Sequence, residues 1–528
     1  MRTLSSRAAL AADPAVGAGN VLARVLAGGA DPDGPGLIFD TAVDGFPAEH
    51  PLTLRELDER VDARAAWLHA QGVKPRDPIA IWTGTAADHI LGYLALTRLG
   101  AIPALINGNL AADIVAEYIR RLRAVGVLAD AAHLELLRPH DLGTPILGDT
   151  AAIAEADPAD APAPYRHHQD DPVVITHTSG TTGIPKSVLH THSSLFAATR
   201  HLLTMPQAQG TGRILNALPA PHTATVLMMN QALGNRAEFF ALSSQAGEVV
   251  LDAIQRWKPQ SVFGFSVTWA ELARQDLSAY DLSSVRLWFN TGDCTHEPHV
   301  RKLVAQGNRD SMTREGVVRT AGSHFIDGLG SSEMGHSMFH VTHRVDTDTY
   351  GRCIGKPYKF VDVAVLNLDG TELGTGEVGH LGIKSPTLSP GYWNDSGTTY
   401  RFRLNGYYLT GDLVYRDADG RFFHLDRAAD STDGFYTAQA EERVLVACPD
   451  VADCTAVIVN ENGQVITDVL LELGPGADPA LDRTEVIRAA LGAELGATLR
   501  KVEVSADIPK GATGKVRKVA LRERQLIS

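Results

Sequence analysis

Cysteine is scarce in this chain, which has 528 residues and only four cysteines. The four residues, Cys294, Cys353, Cys448 and Cys454, form no CxxC pair. Such low usage excludes a disulfide framework and is typical of proteins that work in a reducing compartment. We therefore expect a cytoplasmic protein whose cysteines serve packing rather than chemistry.

Positive charge and long hydrophobic runs are also lacking. Lys and Arg number 48 against 62 Asp and Glu, so the formal net charge is −14 and no basic field is present for nucleic acid. The longest apolar region, from Leu94 to Ile106, is interrupted by an arginine, a glycine and a proline, which argues against membrane insertion. No sustained apolar stretch follows the N-terminus, so no signal peptide is predicted.

The hydrophobic pattern indicates an α/β protein of more than one domain, because a chain of this length is too long for one compact core. A helix-like segment from Leu54 to Ala70 is followed by a strand-like segment from Pro78 to Trp82. Strand-rich sequence with turn dipeptides runs from Gly351 to Leu425, which predicts a β-rich portion.

Small and hydroxylated residues dominate the segment from Thr178 to Lys186, which follows the apolar, β-branched run from Pro172 to Ile175. Glycines allow close approach of backbone N–H groups to anionic oxygens, hydroxyls donate hydrogen bonds, and a lysine adds a point charge. Pro185 stands where a Walker A loop requires glycine, so that motif is excluded. The residues predicted to bind ATP phosphates are Thr178, Ser179, Gly180, Thr181, Thr182, Gly183 and Lys186.

This segment closely resembles the signature of the adenylate-forming superfamily, which comprises acyl-CoA synthetases, non-ribosomal peptide adenylation domains and luciferases. Four further segments occur in the family's order and spacing, so the resemblance extends from Leu52 to Arg522. The stretch from Leu99 to Asn107, together with Ser187, looks like the fatty-acid-transport and very-long-chain acyl-CoA synthetase branch.

The resemblance implies a two-domain architecture. Residues 1–427 would form a large N-terminal domain of α/β subdomains plus a β-rich subdomain. Residues 428–528 would form a small, mobile α+β domain, with the active site between the two. ATP and Mg²⁺ are the implied cofactors, and CoA is a possible third.

The segment from Leu329 to Glu333 is similar to the family's motif of an aromatic residue, Gly, any residue, Thr or Ser, and Glu. The resemblance implies that Ser332 contacts the α-phosphate and that Glu333 holds Mg²⁺, a cation that prefers oxygen ligands. Leu329 replaces the aromatic residue that usually stacks on adenine, so adenine packing is either weaker or supplied elsewhere.

Two further motifs imply the ribose contacts and the catalytic lysine. Asp412, in Thr-Gly-Asp, and Arg427, in Asp-Arg, match the family's ribose-binding pair. The segment from Ile508 to Lys515 resembles the C-terminal motif whose last lysine enters the active site during adenylation. Lys515 would offset the negative charge that builds as two anions approach each other.

His222 and the loop from Thr291 to Asp293 complete the candidate site. His222 follows Pro-Ala-Pro in a segment beside the family's acyl pocket, and it either orients the substrate or is a structural histidine. Thr291, Gly292 and Asp293 occupy the place of the family's adenine-contacting loop. The Asp293 carboxylate would either accept the adenine amino proton or end a strand and cap the following helix.

The run after Arg427 departs from relatives that make CoA thioesters. Residues 428–436 are a few residues short, and Asp433 stands where a lysine is common. The shortening is either a harmless loop deletion or a sign that the thioester-forming half of the reaction is lost.

Three functions follow. The first is an ATP- and Mg²⁺-dependent ligase that activates a small aryl or fatty acid as its AMP ester, releases pyrophosphate and transfers the acyl group to a thiol such as CoA. The alternative is a diazotase that adenylates nitrite and passes the nitrosyl group to an aryl amine without CoA. The third, supported only by Leu329, is an acyl-binding scaffold without turnover. A monomer or a homodimer is expected.

Overall fold

The computed structural model describes residues 6–178, 183–206, 212–505, 508–511, 516, 518 and 520–522. The helices are α1 (Ser6–Ala12), α2 (Val21–Ala27), α3 (Leu54–Ala70), α4 (Ala86–Arg98), α5 (Ala112–Leu122), α6 (Ala131–Leu137), α7 (Ala197–Thr204), α8 (Thr223–Asn235), α9 (Gly247–Trp257), α10 (Ser266–Ala273), α11 (Glu297–Val304), α12 (Ser396–Arg401), α13 (Thr437–Ala447), α14 (Thr484–Leu491) and α15 (Ala493–Ala497).

The strands supply a first sheet and a second sheet in the large domain, a separate hairpin, and a third sheet in the small domain. They are β1 (Leu37–Phe39), β2 (Pro78–Thr83), β3 (Ile102–Asn107), β4 (Gly126–Ala129), β5 (Ile146–Asp149), β6 (Pro172–His177), β7 (Ser187–Thr191), β8 (Arg213–Asn216), β9 (Glu238–Ala241), β10 (Ser261–Gly264), β11 (Leu287–Asn290), β12 (Asn308–Thr313), β13 (Gly316–Ala321), β14 (His324–Asp327), β15 (Phe339–His343), β16 (Cys353–Pro357), β17 (Asp362–Leu366), β18 (Gly379–Lys384), β19 (Gly391–Tyr392), β20 (Arg403–Leu404), β21 (Tyr407–Arg416), β22 (Phe422–Arg427), β23 (Val451–Glu461), β24 (Gln464–Leu473) and β25 (Leu499–Val504).

The first sheet has the order β19-β7-β6-β3-β2-β4-β5. Its β6-β3-β2-β4-β5 portion is parallel, while β6, β7 and β19 pair antiparallel. Helix α3 begins in a capping box, in which the Glu56 N–H donates to Thr53 Oγ1 at 3.1 Å and the Thr53 N–H donates to Glu56 Oε2 at 2.8 Å. The helix and strand predicted from Leu54 and from Pro78 are therefore confirmed as α3 and β2.

The second sheet changes character along its length. From β1 through β9, β8, β10 and β11 to β14 its strands are parallel. From β14 through β15, β16, β22, β21 and β18 to β17 they are antiparallel. One continuous sheet thus joins the α/β part of the large domain to the β-rich part that the sequence predicts between Gly351 and Leu425.

The smaller C-terminal domain has its own sheet, in which β24 lies between antiparallel β23 and parallel β25. Helices α13, α14 and α15 cover it. Val444 of α13 and Ile487 of α14 pack in one apolar core with Ile458 and Val469 of the sheet. The predicted combination of a large α/β domain with a β-rich part and a small α+β domain is confirmed. The exact boundary after Arg427 stays a prediction.

Among the described residues, no helix is both long enough and apolar enough to cross a bilayer.

Candidate active site

The predicted phosphate-binding segment follows β6 and precedes β7 in the chain, and these two strands pair antiparallel. The loop is closed at its base, because the Thr178 N–H donates to the Lys186 carbonyl at 3.2 Å and the Lys186 N–H donates to Thr178 Oγ1 at 3.1 Å. Gly183 adopts φ +141°, which favours glycine. The predicted phosphate ligands Ser179, Gly180, Thr181 and Thr182 lie outside the described residues, and their roles stay predictions.

The loop from Leu329 to Met338 lies beside this hairpin and is held by buried hydrogen bonds. His190 of β7 donates from Nε2 to the Ser332 carbonyl at 2.7 Å, and the Ser389 N–H donates to the Glu333 carbonyl at 2.8 Å. Burial lowers the pKa of His190 to about 4, so this histidine is neutral at physiological pH. The backbone of the predicted α-phosphate and magnesium residues is therefore fixed from both sides.

The Glu333 carboxylate and the Lys186 ammonium both contact the same tyrosine, Tyr392. Tyr392 donates its hydroxyl to Glu333 Oε1 at 2.8 Å. Lys186 Nζ lies 5.5 Å from the centroid of the Tyr392 ring and 4.4 Å from that of Phe402, which are cation–π distances. Burial and the Glu333 charge raise the pKa of Tyr392, so its hydroxyl stays protonated and donates.

His222 lies next to Ser332, and its predicted role in orienting the substrate stays a prediction. Its Nδ1 accepts the Ala224 N–H at 3.1 Å at the start of α8, so Nε2 carries the proton and donates to Ser332 Oγ at 3.2 Å. The ring packs edge-on against Phe265, with centroids 4.8 Å apart. His222 is thus both the N-cap of α8 and a neighbour of the predicted α-phosphate ligand.

The predicted adenine loop is tied to the Ser332 loop. The Gly330 N–H donates to the Gly292 carbonyl at 2.8 Å, and the Thr291 and Ser337 hydroxyls lie 2.8 Å apart. Leu329 is 2% exposed and packs in the core of the β-rich part, so it offers no ring to a base.

Asp293 does not cap the following helix, which corrects one of its two predicted roles. The N-cap of α11 is His296, whereas the Asp293 carboxylate lies 3.4 Å from Arg352 Nη2 and accepts the Cys294 N–H at 2.9 Å. The turn from Asp293 to His296 displaces the helix start by three residues, so the carboxylate cannot reach the helix N–H groups. Its predicted contact with adenine stays a prediction.

A second carboxylate, Asp327, lies beneath this loop at the end of β14. Its Oδ1 accepts from Asn290 Nδ2 at 2.6 Å, and its Oδ2 accepts the Thr295 N–H at 3.1 Å. Burial raises the pKa of Asp327 to about 6 against the opposing effect of these hydrogen bonds. The sequence motifs give no sign of this residue.

The predicted ribose pair comes together across strands β21 and β22. Arg427 Nη1 donates to Asp412 Oδ1 at 2.9 Å, and His424 Nε2 donates to the same oxygen at 3.3 Å. Burial would raise the pKa of Asp412, but Arg427 and His424 outweigh it and hold the pKa at about 2. Within the described part of the chain, the buried Asp412 Oδ2 has no hydrogen-bond partner. An ionised oxygen that lacks a donor fits a ribose hydroxyl.

The short run after Arg427 forms a tight two-residue turn. Thr432 and Phe435 exchange backbone hydrogen bonds at 3.0 and 2.8 Å, and between them Asp433 and Gly434 adopt φ +48° and +82°. Positive φ at both central residues is the type I′ geometry that Asp-Gly favours. The segment that the sequence indicates as shortened is therefore a closed turn.

The small domain docks on helices α10 and α11 of the large domain. His296 Nδ1 donates to Glu442 Oε2 at 2.6 Å, and the Glu297 N–H donates to Glu442 Oε1 at 3.0 Å. Elsewhere Arg274 Nη2 lies 3.2 Å from Asp453 Oδ2.

Lys515, the predicted catalytic lysine, lies outside the described residues. Its neighbours Lys510 and Val516 form an antiparallel bridge, and Lys510 Nζ lies 3.8 Å from Glu271 Oε1 on α10. Lys510, in the described part of the C-terminal motif, therefore lies against the large domain, at the helix that begins directly after Phe265.

Besides Asp327, four further residues that no motif singled out lie in the site: His190, Arg352, Tyr392 and His424. Each reaches a motif residue from another strand or loop, and only His424 does so from a neighbouring part of the chain. A single sequence carries no local signal for such tertiary contacts, although a buried arginine at φ +63°, as in Arg352, is a conspicuous feature once the backbone is known.

A glycine-rich hairpin, a Ser-Glu loop and a buried ribose-type carboxylate in a two-domain chain form the layout of ligases that make AMP esters. The chain matches the family model described as AMP-binding enzyme over residues 32–393. It belongs to the AMP-binding enzyme family and is an adenylate-forming ligase.

Known proteins resemble the chain over nearly its whole length. It is 44% identical to a 3-aminoavenalumate diazotase of Streptomyces sp, covering 98% of this chain and 97% of that protein. It is 25% identical to a 3-hydroxybenzoate-CoA/4-hydroxybenzoate-CoA ligase of Thauera aromatica, covering 90% and 92%. The crystal structure of an anthranilate CoA ligase with anthranoyl-AMP superposes with a TM-score of 0.83 at 20% identity, covering 98% of each chain. A nearer kinship with the fatty-acid-transport branch stays a prediction.

Proposed function

We propose that this ligase is an ATP-dependent diazotase, which adenylates nitrite and transfers the nitrosyl group to an aryl amine without CoA. The observation that carries the proposal is the 44% identity with a diazotase along the full chain, compared with 25% for the hydroxybenzoate CoA ligase. The closed Asp433–Gly434 turn supports the proposal. In the family that the chain resembles, members that acylate CoA carry a longer loop at this place.

The reaction balances without an oxidant or a reductant. A nitrite oxygen attacks the α-phosphorus of ATP, a P–O bond forms, the bond to the β-phosphate breaks, and pyrophosphate leaves. The amine nitrogen then attacks the nitrosyl nitrogen, the N–O bond to AMP breaks, and the amine loses a proton. The resulting N-nitrosamine takes up a proton and loses water to give the diazonium ion. The nitrogen derived from nitrite keeps its oxidation level up to nitrosamine formation.

The residues have separate roles in this proposal. Ser332 and the hairpin loop contact the phosphates, and His222 orients Ser332 through Nε2. Asp412 and Arg427 hold the ribose, and the loop from Thr291 to Asp293, with Leu329 beneath it, borders the base. Lys515 offsets the charge of the two anions as they meet. Mg²⁺, held by Glu333, would neutralise phosphate charge, and a single carboxylate plus phosphate oxygens is a common Mg²⁺ site.

Nitrite and a carboxylate are both planar anions with two oxygens, so the groups that bind phosphate and the attacking anion serve either one. The difference lies beyond the two oxygens, where nitrite leaves room for a second substrate. The aryl amine would then lie against Phe265, whose ring is next to His222. A cytoplasmic location, inferred from four unpaired buried cysteines, is part of the proposal.

The test measures AMP and pyrophosphate release from ATP with nitrite, with and without aryl amines, and traps the diazonium ion with a naphthol as a coloured azo product. Nitrogen-15 nitrite should add one mass unit to that product. A parallel series uses aryl acids with and without CoA, and Lys515→Ala is the control that should lose AMP formation in both series. A CoA thioester formed from an aryl acid, with no AMP release from nitrite, would contradict the proposal and establish the CoA ligase instead.

A further inference from the structure

Arg352 is a fully buried arginine whose guanidinium reaches two parts of the nucleotide site. Its side chain is 2% exposed, and it adopts φ +63°, a left-handed conformation that non-glycine residues rarely accept. Arg352 Nη2 donates to His424 Nδ1 at 2.8 Å and lies 3.4 Å from Asp293 Oδ1. Arg352 Nε donates to the His424 carbonyl at 3.0 Å. The backbone and the ring of His424 are therefore both held by one side chain.

This contact determines which nitrogen of His424 carries the proton. An arginine has only N–H donors, so the His424 Nδ1 that faces it must be the acceptor. The ring nitrogen that carries a proton is then Nε2, which faces Asp412 Oδ1 at 3.3 Å. The opposite tautomer would direct an N–H group at the guanidinium, 2.8 Å away, and a lone pair at the Asp412 carboxylate. Asp293 Oδ1 also lies near Nδ1, but at 3.5 Å it is the more distant neighbour.

The consequence at Asp412 is an asymmetric carboxylate. Oδ1 accepts from both His424 and Arg427, whereas the buried Oδ2 has no hydrogen-bond partner among the residues that the structure describes. Two donors on one oxygen fix the rotation of the carboxylate, so the oxygen without a donor is preset for an incoming hydroxyl. A buried, charged acceptor that lacks a donor strongly favours a ligand that supplies the hydroxyl over one that does not.

We propose that Arg352 and His424 are positioning residues that fix Asp412 for a ribose hydroxyl and so make the site selective for ribonucleotides over deoxyribonucleotides. Neither residue touches the nucleotide in this scheme. Arg352 acts on the His424 tautomer, and His424 acts on Asp412. The inference concerns ATP binding and holds whichever anion the enzyme activates.

The experiment measures dissociation constants for ATP, 2′-deoxy-ATP and 3′-deoxy-ATP by calorimetry, without nitrite, acid or amine, so its outcome does not depend on the proposed diazotase activity. The wild-type protein should bind ATP more tightly than the analogue that lacks the hydroxyl facing Oδ2. His424→Phe keeps the ring volume but removes both nitrogens. ATP binding should weaken about tenfold or more, while binding of that analogue changes little, because hydrogen bonds to charged groups contribute about 1.5–3 kcal/mol.

Two polar variants separate positioning from packing. In His424→Gln the amide nitrogen lies at the same bond distance from the backbone as Nε2, so it can still donate to Asp412. In His424→Asn the amide reaches only as far as Nδ1, so it can accept from Arg352 but cannot reach Asp412. We expect His424→Gln to retain the preference for ATP and His424→Asn to lose it. Arg352→Met should weaken the preference, because Nδ1 loses its donor and Asp293 Oδ1, 3.5 Å away, can then draw the proton to Nδ1 in competition with Asp412.

His343→Phe is the matched control, since His343 is a buried histidine stacked on Tyr350 with centroids 4.8 Å apart and is not part of the site. It should bind all three nucleotides as the wild-type protein does. Circular dichroism and the thermal midpoint verify that each variant is folded. The proposal is overturned if His424→Phe binds ATP normally, if it loses ATP and both analogues equally, or if the Gln and Asn variants behave alike.

Discussion

Raising the pH from about 6 to about 8.5 should loosen the contact between the two domains, because the contact depends on a protonated His296. His296 and Glu442 have side chains that are 15% and 7% exposed and lie 2.6 Å apart. Burial lowers the pKa of His296, but Glu442 more than compensates and the pKa is raised; Arg352, with Nη1 3.5 Å away, opposes protonation. The pKa of Glu442 is lowered by His296 and Arg352 in spite of burial.

The direction of this pH dependence follows from the linkage between proton binding and docking. A histidine with a raised pKa stabilises the docked state fully below about 6.5, and this contribution is lost as the pH rises through the docked-state value. A carboxylate with a lowered pKa contributes above about 4.5 and loses its contribution as the pH falls. Docking should therefore be strongest in mildly acidic solution.

The magnitude can be worked from the hydrogen bond. A charge-assisted bond contributes about 1.5–3 kcal/mol and is roughly twice as strong as a neutral one, so deprotonating His296 should cost about 1 kcal/mol, or about fivefold in the docking equilibrium. Glu442→Gln should weaken docking more. His296 Nδ1 and the Glu297 N–H both donate to Glu442, so the amide NH₂ of the glutamine, itself a donor, would face one of these two donors.

Hydrogen exchange at the Glu297 amide, which donates to Glu442, measures docking directly. Wild-type protein should exchange faster as the pH rises beyond the intrinsic base-catalysed increase, whereas Glu442→Gln should follow the intrinsic increase alone. Asp453→Asn is the control, because it weakens the Arg274 contact but leaves the histidine intact and should keep the pH dependence. Protection of Glu297 that is independent of pH, or that grows with pH, would refute the reasoning.

Three further substitutions test the Ser-Glu loop. Gly335→Ala should lower both the thermal midpoint and AMP formation, because φ is +69° and the added Cβ would lie 2.4 Å from a backbone oxygen; normal stability would show that the loop can move. His190→Leu leaves the Ser332 carbonyl without its donor and should cost about 1–3 kcal/mol in urea unfolding, with partial recovery in His190→Gln. Tyr392→Phe removes the donor to Glu333 and should raise the Mg²⁺ concentration needed for pyrophosphate release about tenfold, whereas an unchanged requirement would separate Glu333 from the metal.

Local patterns predicted the parts of the site that lie within short segments. The sequence indicates a loop after β6, because an apolar, β-branched run ends there at small and hydroxylated residues. The family resemblance implies that Asp412 and Arg427 both contact the ribose, and the structure places Arg427 Nη1 2.9 Å from Asp412 Oδ1.

The residues that support these motifs could not be predicted in the same way. His424 reaches Asp412 because β21 and β22 pair in a particular register, and Arg352 reaches His424 because β16 lies on the other side of β22. Strand order and register are tertiary properties that depend on how whole faces pack. The cap role for Asp293 failed for a related reason, since the turn to His296 moves the helix start away from the carboxylate.

The Asp433–Gly434 turn separates the chain at a place where no sheet is interrupted. The second sheet ends with β22 at Arg427, the third begins with β23 at Val451, and each domain has its own buried apolar core. The chain could be divided there into two fragments, each with a complete sheet, that reassemble through the His296 and Arg274 contacts. Because ATP contacts would come from one fragment and the terminal lysine from the other, such a split enzyme would report reassembly by its own turnover.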